Sequence, residues 1–234
     1  MGRPQPSRGG SLARLDILSD PVCPWCYIGA HALGRAIAAA GSDPFAVTWR
    51  PFQLNTGMPP EGMDRRTYLA AKFGGPENAR RLYARVAEAA ERAGLAIDFE
   101  RTPRAPNTLD AHRLIRWVGA AGVQTDVVMA LFRRYFEACE DISEPGVLRA
   151  VAEEAGMDGA SVARALAAGT DRDATRAEAA AAEEMGVTGV PVFILGGRYV
   201  LSGAQAPEVW VDLIGRIGVR RSAAPSGDAS PLAT

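Results

Sequence analysis

Lysine is almost missing from this chain: Lys72 is the single lysine among 26 cationic residues. That bias toward arginine is read as coding preference and given no functional weight. Acid and base nearly cancel, leaving a formal net charge of -1, so the strongly basic surface of a nucleic-acid binder is lacking. No stretch approaches the roughly 20 consecutive apolar residues of a membrane-spanning helix. The opening segment MGRPQPSRGGSLARLDIL holds no apolar run of signal-peptide length. The expected setting is therefore cytoplasmic, with neither membrane nor nucleic acid as a partner. Metal-ligating residues are also scarce: the histidines are His31 and His112, the cysteines Cys23, Cys26 and Cys139. What remains is ordinary. Apolar residues make up 47% and charged residues 23%, as in globular proteins generally. A chain of 234 residues can build a core that needs no covalent staple.

Two of the three cysteines stand together, in SDPVCPWCYIG at 19–29. Where thiols are kept reduced, a CxxC pair points to catalysis or metal binding more than to a structural disulfide. A structural zinc site needs four ligands and this pair supplies two. His31 falls five residues past Cys26, about 140° round a helix axis, and Cys139 and His112 share no ligand-like spacing. No metal is expected. A staple is also a poor reading, because so small a ring removes little chain entropy. A working dithiol is left. Residues 14–18 suit a short buried strand. Ile28, Leu33, Ala36 and Ile37 follow at helical spacing, and Gly41 ends the run. The pair thus lies at a strand-to-helix junction, with Pro24 fitting the first helical turn. The unpaired N–H groups and the dipole of that terminus favour a thiolate. Cys23 is expected to be the outer, attacking sulfur and Cys26 the buried, resolving one.

The remaining pattern gives a fold. Residues 45–54 read as a second strand, bent or ended near Pro51. Residues 64–185 are nearly all helical in period, with a helix start at Asn107 or Thr108. VTGVPVFIL, GGRYVLSG and APEVWVDLIGRIG read as strand, tight turn, strand and last helix. The order βαβ, helical block, αββα is that of an α/β thioredoxin-like fold with a large all-helical insertion domain. The expected divisions are 13–55 and 172–218 for the thioredoxin-like domain and 56–171 for the insertion. Residues 1–12 and 219–234 read as disordered tails. Pro191 opens an apolar strand, a position where proline is tolerated. In this order of elements a cis Val190–Pro191 bond facing the dithiol is expected.

SDPVCPWCYIG, WRPFQLN, MPPEGMDR, PNTLDAHRLI, GVPVF and SGAQ, taken together, resemble the DsbA family, in its FrnE-like branch, from about residue 14 to 217. The resemblance implies thiol–disulfide oxidoreductase activity on a disulfide or dithiol substrate, protein or small molecule. It implies no cofactor beyond the Cys23–Cys26 couple, with glutathione as a candidate co-substrate. Cys23 would be the nucleophile, Cys26 the resolving thiol and Pro191 the cis-proline, while the Val190 backbone pairs with an extended substrate segment. Trp25 stands where secreted DsbA enzymes carry histidine, so their strongly oxidising potential is not carried over. Val190, Trp25, Tyr27, Phe52 and Gln53 are the expected substrate-binding residues, with Trp49, Pro51 and Asn55 nearby, while Trp49 and Phe52 read equally well as core. His112 is read as a satisfied or solvated histidine and Cys139 as a small hydrophobe. Two alternatives stay open. One is a glutathione-dependent isomerase or transferase of the same fold, against which the intact pair argues. The other is a chaperone-like binding module.

Overall fold

The computed structural model describes residues 12–99, 101–102 and 104–222. Strand β1 (Ala13–Ser19) leads through the CPWC segment into helix α1 (Pro24–Ala40), and β2 (Phe45–Pro51) follows. Next come β3 (Met63–Asp64), α2 (Arg65–Phe73), α3 (Pro76–Ala93), β4 (Arg104–Ala105), α4 (Leu109–Trp117) and α5 (Gln124–Phe136). The chain continues through α6 (Pro145–Glu154), α7 (Gly159–Ala167), α8 (Arg172–Glu184), β5 (Val192–Leu195), β6 (Tyr199–Ser202) and α9 (Pro207–Ser222).

The main sheet has the order β2-β1-β5-β6. β1 runs parallel to β2, so the connection must cross over, and α1 is that crossover. β5 and β6 are antiparallel to their neighbours. Alternation along the strands divides the two faces. Leu15, Ile17, Phe45, Trp49 and Phe193 join the core that contains α1 and α9, where Trp210 meets Phe193 edge to face at 4.8 Å. Leu18 and Val192 point the other way and pack with Phe52 and with Ala182 of α8. The central position of β1 explains why its residues are buried on both faces. Asp16, buried on this strand, is tolerated because Arg14 and Arg50 pair with it at 2.6 and 3.1 Å.

Local signals set the helix ends. Pro24, Pro76 and Pro145 occupy first turns, where a missing N–H is harmless. Asp64 and Asp158 accept from the Thr67 and Ser161 amides as N-caps. Thr108 is the N-cap of α4, while Asn107 accepts the Leu109 amide at 3.0 Å instead. Arg113 of α4 is wholly buried and donates to the carbonyls of Thr170, Leu166 and Ala165, at the end of α7 and in the turn that follows it.

Two expectations need correcting. The insertion is not all helix: Met63 and Asp64 pair antiparallel with Ala105 and Arg104. Two residues are too few to display strand alternation, so this pairing left no trace in the sequence pattern. Gly62 enables it. Its φ is +69°, and a Cβ there would lie 2.6 Å from the Ala105 carbonyl oxygen. The last helix also runs past 219 to Ser222, since arginine is a good helix former. Residues 1–11 and 223–234, expected to be disordered, lie outside the described residues.

Candidate active site

The C-terminal end of β1 delivers the chain to a tight turn, in which the Cys23 amide donates to the Asp20 carbonyl at 2.9 Å. Cys23 then caps α1, with φ −87° and ψ 113°. No side chain caps this helix and no acidic residue lies in its first turn. The positive end of the helix dipole is thus left uncompensated beside the Cys23 sulfur. Cys26 follows one turn later, its amide donating to the Cys23 carbonyl at 3.0 Å.

The two sulfurs have different surroundings. Cys23 is 4% exposed and Cys26 1%, but only Cys23 lines the adjoining cavity. The Cys23 thiol donates to the Val190 carbonyl at 3.5 Å, and the Val190–Pro191 bond that follows is cis. Burial pushes the Cys26 thiol well up, and its hydrogen bond with Cys23 and the charge of Cys23 push the same way. The Ser19 hydroxyl and Asp20 amide act against this. Ser19 Oγ makes no hydrogen bond of sound geometry among the described residues, so burial prevails.

Gly29 lets the two halves of the site meet. A Cβ on it would lie 3.3 Å from Phe193 Cζ and 3.4 Å from Pro191 Cγ. A bare backbone on α1 is what allows the Pro191 loop to sit against the helix that carries the dithiol.

The cavity measures about 240 Å³. Its near wall is Asp20, Val22, Cys23 and Trp25, with Val190 beside them. Its far wall comes from the insertion: Arg65, Tyr68 and Lys72 on α2, Tyr83 on α3 and Tyr135 on α5. Trp25, Val190 and Asn55 line this cavity together with Cys23. Tyr27, Phe52 and Gln53 do not line the cavity. Tyr27 points into the protein, stacked on Phe132 at 5.1 Å and donating to Glu137 at 2.6 Å. Burial drives its phenol far up. Phe52 packs under the opposite face of the sheet, and Gln53 is buried beside it in the chain. Both lie close to β2 in sequence, but the strand's pleat carries Phe52 away from the dithiol. His112 is buried, and its Nε2–H donates to the Phe52 carbonyl at 3.1 Å, 3.7 Å from Asp20. Asp20 in turn accepts the Leu54 amide at 2.8 Å. This pair fixes the loop after β2.

The far wall was missed from sequence, although a signal was there. Residues 65, 68, 69 and 72 follow the i, i+3, i+4, i+7 spacing of one helix face. That face is partly cationic and aromatic, so it did not read as core. Among the described residues, no group of His, Cys, Asp and Glu is placed to hold a metal ion. No described helix is long and apolar enough to cross a membrane.

Comparison with known proteins gives the same frame. A probable DsbA oxidoreductase from Streptomyces coelicolor is 30% identical, with a TM-score of 0.76, 95% of this chain and 93% of that one being covered. The cytosolic disulfide reductase DsbM from Pseudomonas aeruginosa shares the fold at 22% identity and a TM-score of 0.63, with 88% and 98% covered. The uncharacterized protein YwbO of Bacillus subtilis (strain 168) is 30% identical over 197 residues, 84% of this chain and 92% of the relative. The model of the DSBA-like thioredoxin domain matches residues 14–215, and on that match the chain belongs to the DsbA-like family of thiol–disulfide oxidoreductases.

Proposed function

We propose that the chain is a dithiol–disulfide oxidoreductase of the FrnE-like branch, acting in the cytoplasm through Cys23 as nucleophile and Cys26 as resolving thiol. The observation that carries this reading is the asymmetry of the pair. Cys23 faces the cavity from the end of α1. Cys26 lies behind it with its thiol pushed up by burial. In the forward step the Cys23 thiolate displaces one thiolate from a disulfide substrate and forms a mixed disulfide. That step also removes the Cys23 charge and hydrogen bond that hold the Cys26 proton in place. Cys26 then loses its proton, attacks the Cys23 sulfur and releases the second thiol. The substrate's main chain would pair with the Val190 backbone beside Pro191 as an added strand. Support for glutathione as co-substrate comes from the Pseudomonas reductase, which has also been solved with GSH.

The test is trapping. A Cys26→Ser variant should accumulate covalent adducts that dithiothreitol releases, because its mixed disulfides have no internal exit. Cys23→Ser should form none and lose exchange activity. Equal trapping by both variants would overturn the assignment. Full activity in both would leave the binding-module reading in its place.

A further inference from the structure

Arg65 is buried to 7% exposure in the wall of the cavity. Its guanidinium lies over Tyr83 at 4.6 Å and over Phe99 at 5.2 Å, and it donates to the Phe99 carbonyl at 2.9 Å. Among the described residues it forms no ion pair. That is unusual, since a cation taken out of water is normally matched by an anion. Its field reaches the phenols of Tyr83 and Tyr135, where it works against the upward push of burial. Lys72 joins it in the cavity wall, donating to the Tyr68 hydroxyl at 2.9 Å and the Leu54 carbonyl at 3.1 Å. The one carboxylate of the lining, Asp20, is engaged by the Leu54 amide and lies beside His112. The remaining wall is largely apolar, with Met58, Leu69, Phe73, Leu82 and Val86. The cavity thus offers an uncompensated guanidinium, an ammonium, an apolar body and the Cys23 sulfur, in a volume suited to a small ligand.

We infer that this cavity selects small disulfides with a carboxylate end and an apolar body, and that Arg65 is the specificity-determining anchor for the carboxylate. The inference rests on the dithiol reading above and names its substrate class. A guanidinium fork matches a carboxylate in two parallel hydrogen bonds, which an ammonium cannot reproduce. With the carboxylate held there, the sulfur end lies toward Cys23. The electron balance is that of exchange. The Cys23 thiolate displaces RS⁻ from RSSR, and the Cys26 thiolate then displaces the second. The dithiol gives two electrons, and the two cysteine protons end on two RSH.

Three disulfides that share the same –CH2CH2–S–S–CH2CH2– centre separate charge from chemistry: 3,3'-dithiodipropionate is anionic, bis(2-hydroxyethyl) disulfide neutral and cystamine cationic. Each would oxidise pre-reduced protein in a single turnover, with rates divided by those of the same disulfide against dithiothreitol. The wild type should favour the anion over the neutral compound by about tenfold to a hundredfold, the usual worth of a hydrogen-bonded charge. Arg65→Met should abolish the preference, lowering the anion's rate about tenfold to a hundredfold more than that of the neutral compound. Arg65→Lys should keep part of it, and carries the test if the methionine variant does not fold. Suberate, the isostere without sulfur, should bind the wild type in calorimetry and weaken by a similar factor in Arg65→Met. An anion preference that survives in Arg65→Met, or a wild type that binds no suberate, overturns the inference. Suberate binding through Arg65 with no disulfide exchange at all would leave the anion site standing and remove the dithiol reading instead.

Discussion

Cys23 and Cys26 sit one helical turn apart, yet water and charge reach them differently, and a pH dependence follows. The folded protein holds the Cys26 thiol well above its ordinary value, first by burial and then through Cys23. In the unfolded chain the same thiol titrates near 8.5. A group whose pKa is raised on folding contributes stability that is fully present below the unfolded value and is lost as pH rises through the folded one. The reduced protein should therefore lose stability as pH climbs above about 8.5, by at most roughly 1.4 kcal/mol per pH unit from this one proton. Urea denaturation of reduced protein at several alkaline pH values measures that slope. Cys26→Ala should flatten it, whatever the variant costs in absolute stability. A slope unchanged in Cys26→Ala would mean that other groups carry the dependence and that Cys26 is not held protonated by the fold.

Helix α1 does more than present the two sulfurs, because its inward face also receives the Pro191 loop. Gly29 controls that approach, with three neighbours already within 3.4 Å of a Cβ it does not have. Gly29→Val adds branched carbon where there is no room. The loop must move away from α1, and overpacking of this kind costs about 1–3 kcal/mol. We expect a lower denaturation midpoint and a slower reaction of Cys23 with disulfides, since the Val190 carbonyl beside its sulfur shifts with the loop. Gly29→Ala should lie between the two. Exchange rates equal to wild type in Gly29→Val would show that the loop's position does not matter to the chemistry. At this scale one also sees what sequence reveals. The β1–CPWC–α1 junction was legible, because a short apolar run, a proline in the first turn and a helical period all lie within thirty residues. So was the strand opened by Pro191. The opposite wall of the cavity was not. Arg65, Tyr83 and Tyr135 are separated by long stretches of chain and meet only when the insertion folds back over α1. Phe52 and Gln53 looked like neighbours of the dithiol because they follow β2. Strand alternation carries Phe52 to the other face of the sheet, an outcome fixed by register that one strand's sequence does not reveal.

The helical insertion and the thioredoxin-like part share one continuous core. Leu15, Ile17 and Cys26 belong to the same buried cluster as Phe132, Leu148 and Val162. Polar ties reinforce the seam. Tyr27 of α1 donates to Glu137 just beyond α5 at 2.6 Å. The amide of Trp49 on β2 donates to Gln124, and its indole N–H to Thr125, each at 3.0 Å. Glu178 of α8 pairs with Arg50 of β2 and with Arg116 of α4. Chains beyond about 150 residues often unfold in stages, so a shared core makes a distinct expectation here. In urea, the loss of helix by far-ultraviolet circular dichroism and the loss of tertiary structure by tryptophan fluorescence should follow one curve. Tyr27→Phe tests the seam directly. It deletes a hydrogen bond to a carboxylate and leaves that carboxylate without its partner, at a cost of about 1–3 kcal/mol. In a cooperative molecule the variant shifts both curves together to lower urea. If the insertion held its own fold, weakening the seam would separate the two curves, and the insertion helices would outlast the sheet. That separation would mean the dithiol's far wall is built independently of the strand and helix that carry the dithiol.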